Sequence, residues 1–341
     1  MAYAALSALD DAVDATRALL LPVDRGLWLR LAVVIFFLSG GSGVGSLTNA
    51  SSQTPVTGTV ELPAGVAPME FLDEFLPIIV GIAVLAATVG LTFALVGAVM
   101  EFVLVDALSK EAVSVRAMFR EHVRKGLSLF AFQMLLFLGT AGIVGGVGFL
   151  TVWPAIDGGG AALAVGILLT AAVGFAVGLV AVLTYVLTVS FVVPTMLAED
   201  RGLRSAWGRF VTVLRGNLAE FLVYLAVRIA VMVGVGIAAG AIVGIAAAVL
   251  LIPFGLLAGI VFLASGVALS VGAVTSLPLG LLLVFGVLAA LYVLVLVAVT
   301  ALVQVPLKTF TRYYELLVLG DIEPDLDLVS ERREQLHADP F

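Results

Sequence analysis

Between Gly158 and Ala198 the chain carries no charged residue. As a straight helix those residues would run to about 60 Å, against roughly 30 Å for the hydrocarbon core of a bilayer. The segment is not alone, since 62% of the 341 residues are hydrophobic and only 12% are charged. A chain of that composition needs lipid as its solvent. The expected fold class is therefore all-α, a polytopic membrane helix bundle.

Three short segments punctuate the apolar runs: residues 9–26, 113–126 and 203–216. Each closes on a basic residue followed by glycine (Arg25-Gly26, Lys125-Gly126, Arg215-Gly216) and then enters a long hydrophobic stretch. The third reads as an amphipathic helix. Leu203, Ala206, Trp207, Phe210, Val211 and Leu214 fall on one face, opposite Arg204, Ser205, Gly208, Thr212 and Arg215. Asp200 is placed to cap its start and Gly216 to take the left-handed position at its end. In the second, Val115, Met118, Phe119 and Val123 oppose Arg116, Arg120 and Arg124, and Glu121 stands four residues before Lys125. In the first, Leu6, Leu9, Val13 and Leu20 oppose Asp10, Asp14 and Arg17, so its polar face is mainly acidic. Such helices lie in the headgroup plane with arginines toward phosphate, or pack on the bundle with their arginines solvated; both readings give one topology.

Between them the hydropathy marks about six transmembrane helices in three hairpins: spans near 28–48 and 76–104, 128–152 and 162–192, one from about 221 and one near 279–305. Every lysine and arginine except Arg228 then falls on one side or at its boundary, which places both termini in the cytoplasm of a cell-membrane protein. The N-terminus, with Asp10, Asp11 and Asp14, does not read as a signal peptide. The three units (about 1–105, 106–198 and 199–320) enter with one polarity, as parallel repeats would. Together they form one membrane-embedded domain, 1–320, followed by an acidic tail, 321–341. Residues 248–278 have no counterpart in the other units. They are read as a re-entrant hairpin, a surface-lying hairpin or an extension of the flanking helices.

Three lysines stand against fourteen arginines, and the net charge is −7. An acidic, lysine-poor aqueous surface points to a halophilic source. With no cysteine, thiolate chemistry and disulfides are excluded. His122 and His337 are not spaced as a metal pair, and HExxH, GxSxG and P-loop motifs are absent. No catalytic residue, metal or cofactor is expected. Two charges are embedded in spans, Glu101 and Arg228. An intramembrane charge is a functional suspect by default, and the two are expected to pair. Gly236, Gly240 and Gly244 recur at every fourth residue, the spacing that lets helices approach closely in lipid. Asn49 heads a glycosylation sequon on the expected outer loop.

The segment FVVPTMLAEDRGLRSAWGRFVTVLRGNLAEF, residues 191–221, resembles a signature of multi-pass proteins. These are related to the membrane domain that precedes the catalytic domain of some glycerophosphodiester phosphodiesterases. The matching positions are Pro194, Glu199, Gly202, Ala206, Trp207, Gly216 and Asn217, and YYELLVLG from Tyr313 to Gly320 closes the pattern. The layout is similar to that of haloarchaeal membrane proteins of unknown function. What the resemblance implies is a bundle of about six helices without chemistry of its own; no phosphodiesterase domain is expected in residues 321–341.

The expected function is that of a non-catalytic integral membrane protein, lipid-interacting or a membrane scaffold. Arg116, Arg120, Arg124, Arg204, Trp207, Arg209 and Arg215 are its candidate headgroup contacts. The alternatives are a transporter or channel, with a pathway near Glu101, Arg228 and 248–278, and a subunit of a larger complex. Expected partners are membrane lipids and a second copy or membrane-complex partner, not nucleic acid.

Overall fold

Lipid offers a backbone no hydrogen bonds, and a helix satisfies its own without leaving an edge. The computed structural model describes residues 4–38, 68–111, 113–156, 159–266 and 278–338. Among the described residues there is helix and no strand. In chain order these are α1 (Ala4–Leu20), α2 (Arg25–Leu38), α3 (Pro68–Ser109), α4 (Val115–Thr151) and α5 (Gly160–Leu187). A π turn (Thr188–Val192) then leads to α6 (Val193–Ala198), α7 (Leu203–Gly216), α8 (Leu218–Ala264), α9 (Leu279–Ile322) and α10 (Ser330–Ala338).

Among the described residues, five stretches are long and apolar enough to cross a membrane: Leu76–Ser109, Val115–Thr151, Gly160–Ala198, Leu218–Ala264 and Leu279–Ile322. The first expected span is described only as α2, and its remainder falls in residues 39–67, outside the described residues, as does Asn49. Over residues 248–264 the structure takes the extended helix, α8 continuing through Pro253 to Ala264, while 267–277 lie outside the described residues. At 47 residues α8 is about 70 Å long, well over the hydrocarbon thickness.

The helices divide between two compact units. The first comprises Met1–Leu19, Ala94–Leu225 and Phe310–Phe341; the second comprises Leu20–Phe93 and Ala226–Thr309. The first has an aromatic centre around Phe191. Its ring stacks on Phe210 at 5.5 Å and meets Phe221 and Tyr224 edge-on at 5.1 and 4.7 Å. Tyr224 stacks in turn on Tyr314 at 5.9 Å. Such pairs add about 0.5–1.5 kcal/mol each beyond area burial. In the same unit α4 and α5 pack closely where a side chain is missing: a Cβ on Gly166 would stand 2.5 Å from the Thr151 carbonyl oxygen. Thr151 and Thr170 share a hydrogen bond of 2.8 Å beside it.

The three short polar segments sit differently from their sequence patterns. Helix α7 buries Ala206 and Phe210 of the expected apolar face together with Val213, which the pattern does not assign to it, and Trp207 packs against Phe132 and Phe210. Its ends depart from expectation. The helix starts after Gly202, and Asp200 pairs with Lys125 at 2.6 Å instead of capping. Gly216 is the last helical residue, and Asn217 follows it with φ −131°, so no left-handed turn is needed before α8. Helix α4 is rotated relative to its apolar pattern: Met118, His122, Gly126 and Leu129 are buried and Val123 is exposed. Lys125, drawn to Asp200, also donates to the Met196 carbonyl at 3.2 Å. Helix α1 buries Ala8, Ala12 and Ala15 and leaves Leu6 exposed, because small side chains permit the closer approach.

The acidic terminal segment is folded as far as Ala338. Leu326 and Val329 are buried, and Arg333 pairs with Asp321 and Asp327 and donates to the Leu317 carbonyl. Gly320 makes room for this return: a Cβ there would lie 2.6 Å from the Asp327 carboxyl carbon.

In the second unit Leu31, Val34 and Ile35 are buried, Phe36, Phe37 and Phe93 cluster at 5.2–5.8 Å, and Tyr292 donates to the Ala247 carbonyl at 3.2 Å. Most other large apolar side chains of this unit face outward. Gly236, Gly240 and Gly244 are not packing positions among the described residues: a Cβ at any of the three would meet nothing within 4 Å, so they bring none of the described helices together.

Candidate functional site

The charges of the first unit converge where α5 changes register. In the π turn, Val193 N–H reaches back five residues to the Thr188 carbonyl. The wider register turns the Val189 carbonyl toward residue 194, and residue 194 is proline, which has no N–H to give. A buried acceptor left unmet costs about 1–3 kcal/mol. Arg312 on α9 meets it, Nη1 donating to the Val189 oxygen at 2.9 Å. The same nitrogen lies 2.9 Å from Glu315 Oε2, and Nη2 is paired with Glu101 on α3. All three charged side chains are buried. One guanidinium thus ties three helical elements together through a backbone defect and two carboxylates.

The sequence reading paired Glu101 with Arg228. In the structure Arg312 holds Glu101 within the first unit, a partner the sequence reading missed; Arg228 is a half-buried residue of α8 that makes interactions of its own. Arg312 escaped notice because the last span was ended near residue 305, which left it among flanking charges. The available signal was the helical spacing of Arg312 and Glu315 inside a segment that stays apolar to Gly320.

A second cluster joins the end of α3 to α4. Asp106 accepts from Lys110 at 3.0 Å, and its Oδ2 lies 3.2 Å from His122 Nε2. Asp106 and His122 are buried and Glu121 is exposed, and one ligand atom from each of the three lies within 4.8 Å of the others. The hydrogen bond it donates to Asp106 holds the Lys110 ammonium above the ordinary lysine value. Just along α4, Gly126 allows α3 to come close: a Cβ there would fall 2.7 Å from the Val99 Cα. Sequence reasoning missed this group because Asp106 and His122 are sixteen positions apart on different helices. Only the α3–α4 packing brings them together.

The candidate headgroup residues divide into two sets. Arg209 is engaged by protein, its Nη2 lying 2.8 Å from Glu323 and its Nε 3.5 Å from Glu199. The bond to Glu323 raises its pKa further above the arginine value. Trp207 belongs to the aromatic centre. Arg116, Arg120 and Arg124 on α4, and Arg204 and Arg215 on α7, are exposed and have no ion-pair or hydrogen-bond partner among the described residues. All five belong to the first unit, which holds every lysine and arginine except Arg25, Arg30, Arg228 and Lys308.

Helices of membrane-crossing length, apolar on all sides, with charge gathered in one unit, define an integral, multi-pass helical membrane protein. The chain belongs to a family of unknown function, DUF7544, which it matches over residues 3–329. No curated protein and no solved structure matches it.

Proposed function

We propose that this protein is a non-catalytic membrane component that engages the anionic headgroups of the cytoplasmic leaflet. The observation that carries the reading is the set of five exposed arginines without an ion-pair partner among the described residues, Arg116, Arg120, Arg124, Arg204 and Arg215. The arginines beside them are consumed internally: Arg201 by Glu199, Arg209 by Glu323, Arg312 by Glu101 and Glu315, Arg333 by Asp321 and Asp327. Each basic side chain near an anionic surface contributes about 1 kcal/mol of attraction, screened within a Debye length. In this reading both termini are cytoplasmic, and the arginine-bearing faces of α4 and α7 lie at the headgroups.

The test compares the full chain in nanodiscs of neutral lipid with nanodiscs containing anionic phospholipid, at low and high salt. The wild type gains thermal stability with anionic lipid and loses that gain at high salt. A variant with all five arginines replaced by glutamine gains nothing. If this variant keeps the full lipid-dependent gain, the reading fails.

A transport pathway is the second reading, favoured by one observation: Glu101, Arg312 and Glu315 are buried charges on helices of membrane-crossing length. Ion flux in proteoliposomes that is abolished by Glu101→Gln supports it, and the absence of flux in the wild type rejects it.

A further inference from the structure

The Asp106 cluster offers a different chemistry from the arginine faces. An imidazole nitrogen and two carboxylates converge there, which is the donor set of a divalent transition-metal site. With metal–ligand bonds of about 2.0–2.2 Å, neighbouring donors stand about 3.0–3.5 Å apart. The separation of His122 Nε2 from Asp106 Oδ2 is 3.2 Å. Both side chains are buried on helices pressed together at Gly126, one turn along from His122, so this edge of a site is fixed before any ion arrives. Glu121 is exposed, and its carboxylate is within 4.8 Å of both. It can swing in as the third ligand, leaving a fourth position to water.

A cation is already held at this point. The Lys110 ammonium lies 2.8 Å from Asp106 Oδ1 and interacts with Glu121 as well. Unlike the buried His122, Lys110 has a half-exposed side chain and can leave for solvent at little cost.

We propose that Asp106, His122 and Glu121 bind a divalent transition-metal ion of the zinc class, with Lys110 as the cation it displaces. The bound ion joins the end of α3 to α4, in the stretch that begins with the arginine-bearing turns. Binding takes neutral His122 and two carboxylates, and involves no redox change. Because the ammonium and the metal compete for the same carboxylate, removing the lysine strengthens binding. A purely structural role for the cluster predicts no such gain.

The experiment titrates Co²⁺ into tag-free full-length protein in detergent, read by ligand-field absorption and calorimetry. The expected result is one Co²⁺ per chain, displaced by Zn²⁺ and not by Mg²⁺. Lys110→Met binds at least about tenfold more tightly and Glu121→Gln at least about tenfold more weakly, since each alters a unit charge within a few ångströms of the ion. Both positions are at the surface, so these variants test the site without disturbing the buried pair; His122→Gln abolishes binding if it folds. No stoichiometric Co²⁺ on the wild type overturns the proposal, even if Lys110→Met binds, because the lysine is then the permanent occupant. Binding that Glu121→Gln and Lys110→Met leave unchanged also overturns it, marking ions held elsewhere.

Discussion

The two units of this protein are built from similar helices and held by different means. In the first, Tyr224, Phe191 and Phe210 are fully buried in a stack of rings, and glycines such as Gly126 and Gly166 admit backbone at contact distance. In the second, Met232, Ile237 and Ile245 on α8 point outward, and the glycines between them face open space. Apolar surface has no reason to hide when its surroundings are acyl chains, so hydropathy does not drive the second unit to pack. Specific structure in the first comes from groups that lipid cannot satisfy: a proline-orphaned carbonyl, buried carboxylates and aromatic edges.

Replacing Arg312 with leucine is the severest test of this contrast. It removes a shared partner of Glu101, Glu315 and the Val189 carbonyl at once, and removing one partner of a buried ion pair costs about 3–5 kcal/mol. Thermal unfolding in detergent should show a large drop, well beyond that of the exposed Arg204→Leu. Equal losses would show that the first unit does not depend on its ionic centre.

Glycine substitutions compare the units directly. Gly126→Ala puts a methyl group against the Val99 backbone, and overpacking of this kind costs about 1–3 kcal/mol. Gly240→Ala meets nothing and gains helix propensity, so its expected effect is neutral to stabilising by up to about 1 kcal/mol. A destabilised Gly240→Ala would place a second copy of the chain, or a tightly held lipid, against that face. Equilibrium unfolding of the two variants side by side reads the difference.

The smallest effect lies in the exposed pair of Lys125 and Asp200. The hydrogen bond from Lys125 lowers the Asp200 pKa, so the pair's contribution is complete above the ordinary aspartate pKa of 3.8. It fades as the pH falls through the lowered value of the folded protein. An acid titration of the Asp200→Asn variant should therefore part from the wild type at neutral pH and merge with it in strong acid. Curves that stay parallel throughout would deny the pair any linkage to folding.

Membrane residence, the helical class and the long spans follow from one-dimensional facts: charge-free runs, and the spacing of Ala206 and Phe210 along α7. Those signals are local, because a helix face is written in residues three and four positions apart. The periodicity of α4 pointed to Val123, whereas packing against α3 chose His122, since a helix bedded partly in lipid can turn either apolar face to its neighbour. Asp106 meeting His122, Arg312 meeting Glu101 and the Val189 carbonyl, and the return of residues 323–338 past Gly320 were decided only in three dimensions. Each depends on which helices touch and at what register. A buried charge or an orphaned carbonyl takes whatever partner the packing presents, however distant in the chain.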